Sequence, residues 1–355
     1  MYSHYNDIGA YNSKESPYFS WYKFINWPDE YHSWWGIKLL PEVIEEDEGY
    51  RNYICGENGI LKKWLRCGIA GYRLDVADEL PDIFLDDLRK SVKSENENAI
   101  IIGEVWEDAT NKFAYGQRRK YLLGEELDSV MNYPFADAIL NFVRYSNGNA
   151  FFNAVLSIIE NYPPQVLNVL MNHIGTHDTE RAITRLAGEN PDAHDRAWQF
   201  EHNTLSEFDY LKGISMMKIA SLIQFTLPGV PSIYYGDEIG MQGMKDPFNR
   251  GCMPWDKPNE ELLKWYKRLG QIRHSSKAFI DGDFEKLYCD GGVIAYSRSS
   301  EGDNILVAIN NSNEQKRIFV GTQWDNSYSL FDEKSVDGFV NLPPYRYTLL
   351  SKKEY

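Results

Sequence analysis

The chain has 355 residues, 43% hydrophobic and 25% charged, which suits one large α/β domain followed by a smaller one. Its formal net charge of −15 disfavours nucleic acid or an anionic membrane as a partner, because such a surface would repel it. A neutral ligand suits this charge better.

Neither the cysteines nor the apolar stretches indicate a secreted or membrane protein. The four cysteines have no metal-binding spacing and are too few for a disulfide scaffold. The start, MYSHYNDIGAYNSKES, lacks the basic and apolar regions of a signal peptide, and the apolar stretch 214–235 is interrupted by polar residues and two prolines. We therefore predict a soluble, cytoplasmic protein.

Residues 1–56 show no steady hydrophobic period, so we predict a long loop-rich segment with a function. ENGILKKWLRCG then predicts a helix that ends at Gly68 and has one apolar face (Ile60, Leu61, Trp64 and Leu65). The segment IAGYRLDV predicts a strand, Pro81 opens a second helix, and AIIIGEVW predicts the next strand.

Three further strands are predicted from LDSVMNY, VLNVLMNHIG and VPSIYYG, with helical stretches at 134–161, 207–226 and 259–276. Strands that alternate with helices indicate parallel βαβ units, five strands in all. After residue 277, short alternating segments separated by Gly, Asn and Asp predict a small antiparallel β domain.

Two of the predicted strands end in carboxylates. In RLDV, Arg73 and Asp75 lie on one face, and a neighbouring guanidinium stabilises the ionised carboxylate that a nucleophile requires. Glu104 ends IIGEVW, with Trp106 two residues on, and a poorly hydrated carboxyl beside an indole keeps the proton that a general acid requires. Two carboxyls in opposite environments are typical of a glycosidase.

A third carboxylate follows a later strand, in NHIGTHDTER. Asp178 could stabilise positive charge on a sugar ring, and His177 could hydrogen-bond its hydroxyls. Carboxyl ends of parallel strands are where barrel enzymes keep their sites. Each motif also has a purely structural interpretation: an ion pair for Asp75, a helix start for Glu104 and a helix cap for Asp178.

The segments GYRLDVADE, IIGEVWED and IGTHDTER resemble, in this order, the second, third and fourth signature regions of the α-amylase family, glycoside hydrolase family 13. IYYGDEIGM, with DPFNR and MPW after it, is similar to the neopullulanase and cyclomaltodextrinase branch of that family. The resemblance implies a TIM (β/α)₈ barrel with an inserted domain after its third strand and an antiparallel β domain after the barrel.

The resemblance also implies the roles of individual residues. Asp75 becomes the nucleophile, Glu104 the general acid and base, and Asp178 the stabiliser of the transition state. Arg73 orients Asp75, His177 contacts the sugar, and Trp106 is a further substrate-binding candidate. Asp246 and Arg250 match positions that hold sugars on the non-reducing side, although a loop salt bridge explains this last pair equally well.

Nothing in the chain matches the first family signature, an Asp followed closely by Asn-His. We therefore predict a partial barrel with strands 4–8 present and 1–3 missing, in an N-terminally truncated chain. The predicted domains are a remnant of inserted domain B (1–56), the partial barrel (57–277) and an antiparallel β-sandwich (278–355). Exposed strand edges would make the chain poorly stable and weakly active alone.

The function implied is retaining hydrolysis of α-1,4 and α-1,6 bonds in α-glucan oligosaccharides such as maltodextrins. A non-catalytic carbohydrate-binding fragment and a transglycosylase or isomerase are the alternatives. LLPEV resembles the signature of the inserted domain but lacks the Asn that the usual calcium site needs, so we predict no metal or other cofactor. The oligomeric state is left open.

Overall fold

The computed structural model describes residues 2–331, 335, 336 and 338–353. The chain forms two compact units, one of Met1–Val105 with Ala109–Val130 and one of Trp106–Asp108 with Met131–Tyr355. This division does not test the predicted domain bounds of 1–56, 57–277 and 278–355, which stay a prediction. No helix in the described part of the chain is long and apolar enough to cross a membrane.

The first unit begins with the predicted loop-rich segment. Its aromatic side chains form a small core in which Trp21 and Tyr22 are buried. The unit contains helices α1 (Tyr2–Tyr5), α2 (Glu48–Cys55), α3 (Ile60–Arg66) and α4 (Asp82–Glu95). Its strands are β1 (Phe24–Asn26), β2 (Glu30–Tyr31), β3 (Gly71–Leu74), β4 (Ile100–Gly103), β5 (Phe113–Ala114), β6 (Gln117–Arg118) and β7 (Ser129–Val130).

Strands β3, β4 and β7 form a parallel sheet in that order, as the sequence predicts. Gly71 begins β3 with a φ of 155°, and a Cβ there would lie 2.0 Å from the carbonyl oxygen of Ile100 on β4. Only glycine therefore permits this close approach of the two strands. Helix α3 ends before Gly68, as predicted. Of its predicted apolar face, Leu61 and Leu65 are buried, but Trp64 is exposed.

The second unit holds the remaining parallel strands, β8 (Met171–Asn172) and β9 (Val230–Pro231), which pair with each other. Met131 adds a parallel bridge to Met171. The helices are α5 (Tyr133–Tyr145), α6 (Gly148–Asn161), α7 (Pro164–Leu167), α8 (Ala182–Ala187), α9 (Arg196–Glu201), α10 (Glu207–Thr226), α11 (Glu260–Ser275) and α12 (Ala278–Asp281). The strand predicted from VLNVLMNHIG was wrong at its start, because Pro164 opens the short helix α7.

The C-terminal part of the second unit is antiparallel, as predicted. Its strands are β10 (Asp283–Asp290), β11 (Val293–Ser300), β12 (Asp303–Asn310), β13 (Lys316–Phe319), β14 (Ser327–Ser329), β15 (Ser335–Val336), β16 (Phe339–Leu342) and β17 (Arg346–Ser351). Six form one sheet in the order β10-β11-β12-β17-β14-β15, and β13 pairs with β16. Leu306, Ile318 and Leu350 belong to one apolar core that joins both sheets.

A buried carboxyl in the first unit makes its stability depend on pH. Glu126 is fully buried, and neither of its carboxylate oxygens has a hydrogen-bond partner among the described residues. Burial, with a smaller contribution from the nearby Asp82, raises the pKa of Glu126 to about 7. An unfolded glutamate has a pKa of about 4.3, so the folded state holds a proton that the unfolded state has lost between these values.

We therefore expect the free energy of unfolding to fall as pH rises from about 4 to about 7. Glu126→Gln does not titrate, so its stability relative to the wild type should increase over the same interval. Denaturant unfolding at pH 5 and pH 8 measures the difference, with Glu125→Gln as the matched exposed control. If the free energy of unfolding of Glu126→Gln differed from that of the wild type by the same amount at both pH values, the expectation would be contradicted.

Candidate active site

The ends of strands β3 and β4 bring two of the predicted carboxylates together. The parallel register pairs Leu74 with Gly103, and Asp75 and Glu104 are the next residues along their chains. Both side chains therefore leave the sheet at the same carboxyl edge. This arrangement follows from the parallel pairing itself, because the carboxyl ends of parallel strands lie at the same edge of a sheet.

One guanidinium binds both carboxylates. Arg73 on β3 contacts the Oδ1 of Asp75 through Nη1, and its Nη2 lies 3.1 Å from the Oε2 of Glu104. The Asp75 side chain is 74% exposed, whereas that of Glu104 is only 5% exposed. Arg73 thus contacts an open and a buried carboxyl group that lie side by side.

A strained residue completes this part of the site. Val76 follows Asp75 with a φ of 41°, a left-handed conformation that is unusual for a β-branched side chain. Its backbone N–H donates a hydrogen bond of 2.9 Å to the Oε2 of Glu104. The turn at Val76 therefore redirects the chain after β3 and Asp75, and its N–H also orients Glu104. Sequence reasoning missed this residue, since nothing in a valine indicates a positive φ.

The second unit contains the third carboxylate with its own partners. The Oδ2 of Asp178 lies 3.1 Å from the Nε2 of His177, and its Oδ1 lies 3.3 Å from the Nη2 of Arg250. The Nε of Arg250 is also 2.7 Å from the Oδ1 of Asp246. The loop salt bridge considered for Asp246 and Arg250 is therefore formed, and Arg250 contacts Asp178 in addition.

The backbone around Asp178 is held by a residue that the sequence did not single out. Asn249 is fully buried, and its amide donates hydrogen bonds of 2.7 Å to the carbonyl of His177 and 2.6 Å to that of Thr179. Those two carbonyls flank Asp178 in the chain. Asn249 lies in the DPFNR segment, so its position beside Arg250 was the available signal.

Trp106 also belongs to the second unit. Its ring stacks on that of Tyr133, with 4.0 Å between centroids and 13° between planes. Trp106 and Asp178 both line a cavity of about 410 Å³, whose wall is largely polar or charged. Trp106 therefore offers an anchored aromatic face in the cavity that contains Asp178. The predicted effect of its indole on Glu104 stays a prediction.

A buried cluster lies three residues beyond Asp178. The guanidinium of Arg181 lies near the rings of both Tyr234 and Tyr235, 4.2 and 4.4 Å from their centroids. Asp237 is also buried, 3.7 Å from Arg181, and burial raises the pKa of its carboxyl to about 7 although Arg181 acts to lower it. The cluster ties the segment after Asp178 to the YYGDE segment.

Among the described residues, no group of three or more histidine, cysteine or acidic side chains is placed to hold a metal ion. Our expectation that the site works without calcium or another cofactor stays a prediction. The chemistry available at this site is that of carboxylates, one shared guanidinium and aromatic faces.

Comparison with known proteins identifies the family. Residues 11–327 match the sequence profile described as "Alpha amylase, catalytic domain". The chain belongs to the alpha-amylase family of glycosidases. It has the alpha-amylase fold, a TIM barrel with a C-terminal sheet domain. The predicted count of five barrel strands with three missing stays a prediction.

Individual relatives within the alpha-amylase family are identical to the chain at about a third of the aligned positions. It is 33% identical to a cyclomaltodextrinase of Thermoanaerobacter pseudethanolicus, over 87% of this chain and 50% of the relative. It is 31% identical to an amylopullulanase of Thermoanaerobacter thermohydrosulfuricus, over 89% of this chain and 23% of that protein. The chain thus spans half the length of the first relative and less of the second.

A solved structure is also similar to the chain over part of its own length. The type III pullulan hydrolase from Thermococcus kodakarensis superposes with a TM-score of 0.80 at 26% identity, covering 95% of this chain and 55% of that one. The structural similarity to this member of the alpha-amylase family therefore extends over nearly all of our chain and about half of the solved one.

Proposed function

We propose that the protein is a retaining α-glucan hydrolase, with Asp75 as nucleophile and Glu104 as general acid and base. The observation that carries the proposal is the single guanidinium of Arg73 bound to both carboxylates. Two carboxyls that share one guanidinium lie close together, and close spacing is characteristic of retaining rather than inverting glycosidases. Inverting enzymes need room between their carboxyls for a water molecule.

In the first step, a carboxylate oxygen of Asp75 attacks the anomeric carbon of the sugar. The bond from that carbon to the glycosidic oxygen breaks, and Glu104 gives its proton to the departing oxygen. A covalent glycosyl-enzyme forms. In the second step Glu104 removes a proton from water, the water oxygen bonds to the anomeric carbon, and Asp75 leaves as a carboxylate.

Asp178 has a different role in the proposal. Positive charge develops on the sugar ring in both steps, and a carboxylate stabilises it electrostatically. His177 and Arg250 both contact the Asp178 carboxylate, so its orientation is held from two sides. His177, Arg250, Asp246 and Trp106 are proposed to bind sugar units of the substrate.

The substrate class is proposed from the relatives. Their names refer to cyclomaltodextrin and pullulan, both composed of glucose in α-linkage. We propose α-1,4 bonds of maltodextrins as the first target and α-1,6 bonds as the second. The acidic chain, with a net charge of −15, is compatible with such a neutral polymer.

The stereochemistry of the product tests this function. Maltoheptaose hydrolysis followed by proton NMR should show the α-anomer first, because two displacements at one carbon restore its configuration. Initial release of the β-anomer would exclude Asp75 as a covalent nucleophile. Binding of maltoheptaose without cleavage would support the non-catalytic alternative, and longer oligosaccharides among the products would support a transglycosylase.

A further inference from the structure

The first unit has a cavity of about 650 Å³ that includes Asp75 in its wall. Aromatic side chains from two separate loops line the same cavity. Trp34 and Trp35 come from the loop-rich segment, and Tyr115 comes from the hairpin of β5 and β6. Trp35 is 82% exposed and Tyr115 is 74% exposed, so large apolar faces are presented to the solvent beside the proposed nucleophile.

The two loops hold these rings in unusual backbone conformations. Of the six described non-glycine residues with positive φ, three line this cavity: Trp35 at 47°, Val76 at 41° and Tyr115 at 52°. Such conformations are strained for residues other than glycine and occur preferentially at ligand clamps and active sites. Their concentration around one cavity indicates that the rings are placed for a ligand.

Backbone hydrogen bonds and a ring contact hold the tryptophan loop. The backbone N–H of Trp34 donates to the carbonyl of Leu40 at 2.9 Å, and the N–H of Leu40 donates to the carbonyl of Ile37 at 2.8 Å. The ring centroids of Trp34 and Trp35 are 5.4 Å apart, with 13° between the planes. The two rings are therefore stacked on each other, which orders them before a ligand binds and reduces the entropy lost on binding.

The tyrosine is also anchored. Tyr115 and Gly116 form a tight turn, with φ values of 52° and 78°, and both positive values fit a two-residue hairpin turn. The Tyr115 hydroxyl donates a hydrogen bond to the carboxylate of Glu79. Glu79 belongs to the helical turn Ala77–Glu79 that follows Asp75 and Val76, so the position of Tyr115 is linked to that of the nucleophile.

We propose that Trp34, Trp35 and Tyr115 form an aromatic clamp that binds a glucose unit of the α-glucan chain next to Asp75. The proposal rests on the proposed function, which places Asp75 at the bond that is cleaved. A sugar ring has apolar faces that stack on aromatic rings and hydroxyls that hydrogen-bond to carboxylates. Glu42 and Glu79, which line the cavity, supply such acceptors, and their negative charge disfavours an anionic ligand.

Binding of maltoheptaose to the full chain tests the clamp by titration calorimetry. All variants carry Glu104→Gln, so that cleavage does not interfere. The key variants are Trp35→Gly and Tyr115→Gly, because glycine adopts a positive φ without strain. Trp255→Gly is the matched control for the first, since Trp255 is also 82% exposed but does not line the cavity. Tyr345→Gly controls for the second, with a φ of 55° and 54% exposure.

We expect each clamp variant to bind maltoheptaose about tenfold more weakly, and Trp35→Phe, which keeps a stacking face, to retain most of the affinity. Thermal melting of each variant separates lost binding from lost folding. Unchanged affinity in both clamp variants, equal losses in the controls, or no binding by the Glu104→Gln background would each overturn the clamp. Product stereochemistry tests the hydrolase function separately, so a chain that binds through the clamp without cleaving refutes only that function.

Discussion

Asp75→Gly is expected to lower the turnover of maltoheptaose by about 10⁴–10⁶-fold, the range seen when a covalent nucleophile is removed. Without the carboxylate no glycosyl-enzyme forms, while Arg73 keeps its contact with Glu104. Arg73 and Glu104 should therefore keep their positions, with a space where the Asp75 carboxylate was. Initial rates of reducing-sugar release measure the loss.

Added azide distinguishes loss of the nucleophile from general damage. A small anion can occupy the space of the missing Asp75 carboxylate and attack the anomeric carbon directly. A single displacement inverts the configuration, so Asp75→Gly should form a β-glycosyl azide from an activated α-glucosyl fluoride. Asp256→Gly, which removes an exposed aspartate outside the site, should keep wild-type rates. An α-configured azide product from Asp75→Gly would contradict the nucleophile role.

Glu104→Gln is expected to lower the turnover of maltoheptaose by about 10²–10⁴-fold, the usual contribution of a general acid and base. The glutamine oxygen can still accept the hydrogen bond from the N–H of Val76, so the fold around it should be kept. The rate falls because no group protonates the departing sugar oxygen. Steady-state kinetics on wild type and variant give the ratio.

Substrates with different leaving groups test the acid role of Glu104 directly. Fluoride departs without a proton, so formation of the glycosyl-enzyme from α-glucosyl fluoride should be much less impaired than its formation from maltoheptaose. Glu97→Gln makes the same chemical change at an exposed position and should have no effect. Equal losses on both substrates would remove Glu104 from the role of acid.

Much of the fold could be predicted because hydrophobic period and chain order depend on local sequence. The parallel strands around Tyr72, Ile101 and Val130 lie where short apolar runs were expected. The errors had two causes. Trp64 lies at an apolar helix position yet is exposed, because packing decides which positions are buried. The residues after Pro164 form a helical turn instead of a strand, because proline favours the first turn of a helix.

The candidate site could be predicted only in part. Carboxylates at strand ends can be found in a sequence, because the ends of parallel strands meet at one edge. A residue that acts through its backbone leaves no such signal, as with Val76, which orients Glu104 with its N–H. Asn249 supports the chain on both sides of Asp178 with its side-chain amide, and only its place beside Arg250 in DPFNR indicated it.

The sequence by itself determined the family, the order of the elements and the three candidate catalytic residues, because each depends on short motifs and their spacing. Only the tertiary structure decided that Arg73 serves both Asp75 and Glu104, and that Arg250 joins Asp246 to Asp178. It also decided that Trp35 and Tyr115, 80 residues apart in the chain, line one cavity. The physical reason is that contacts between side chains distant in sequence depend on strand register and turn conformation, which no local pattern encodes.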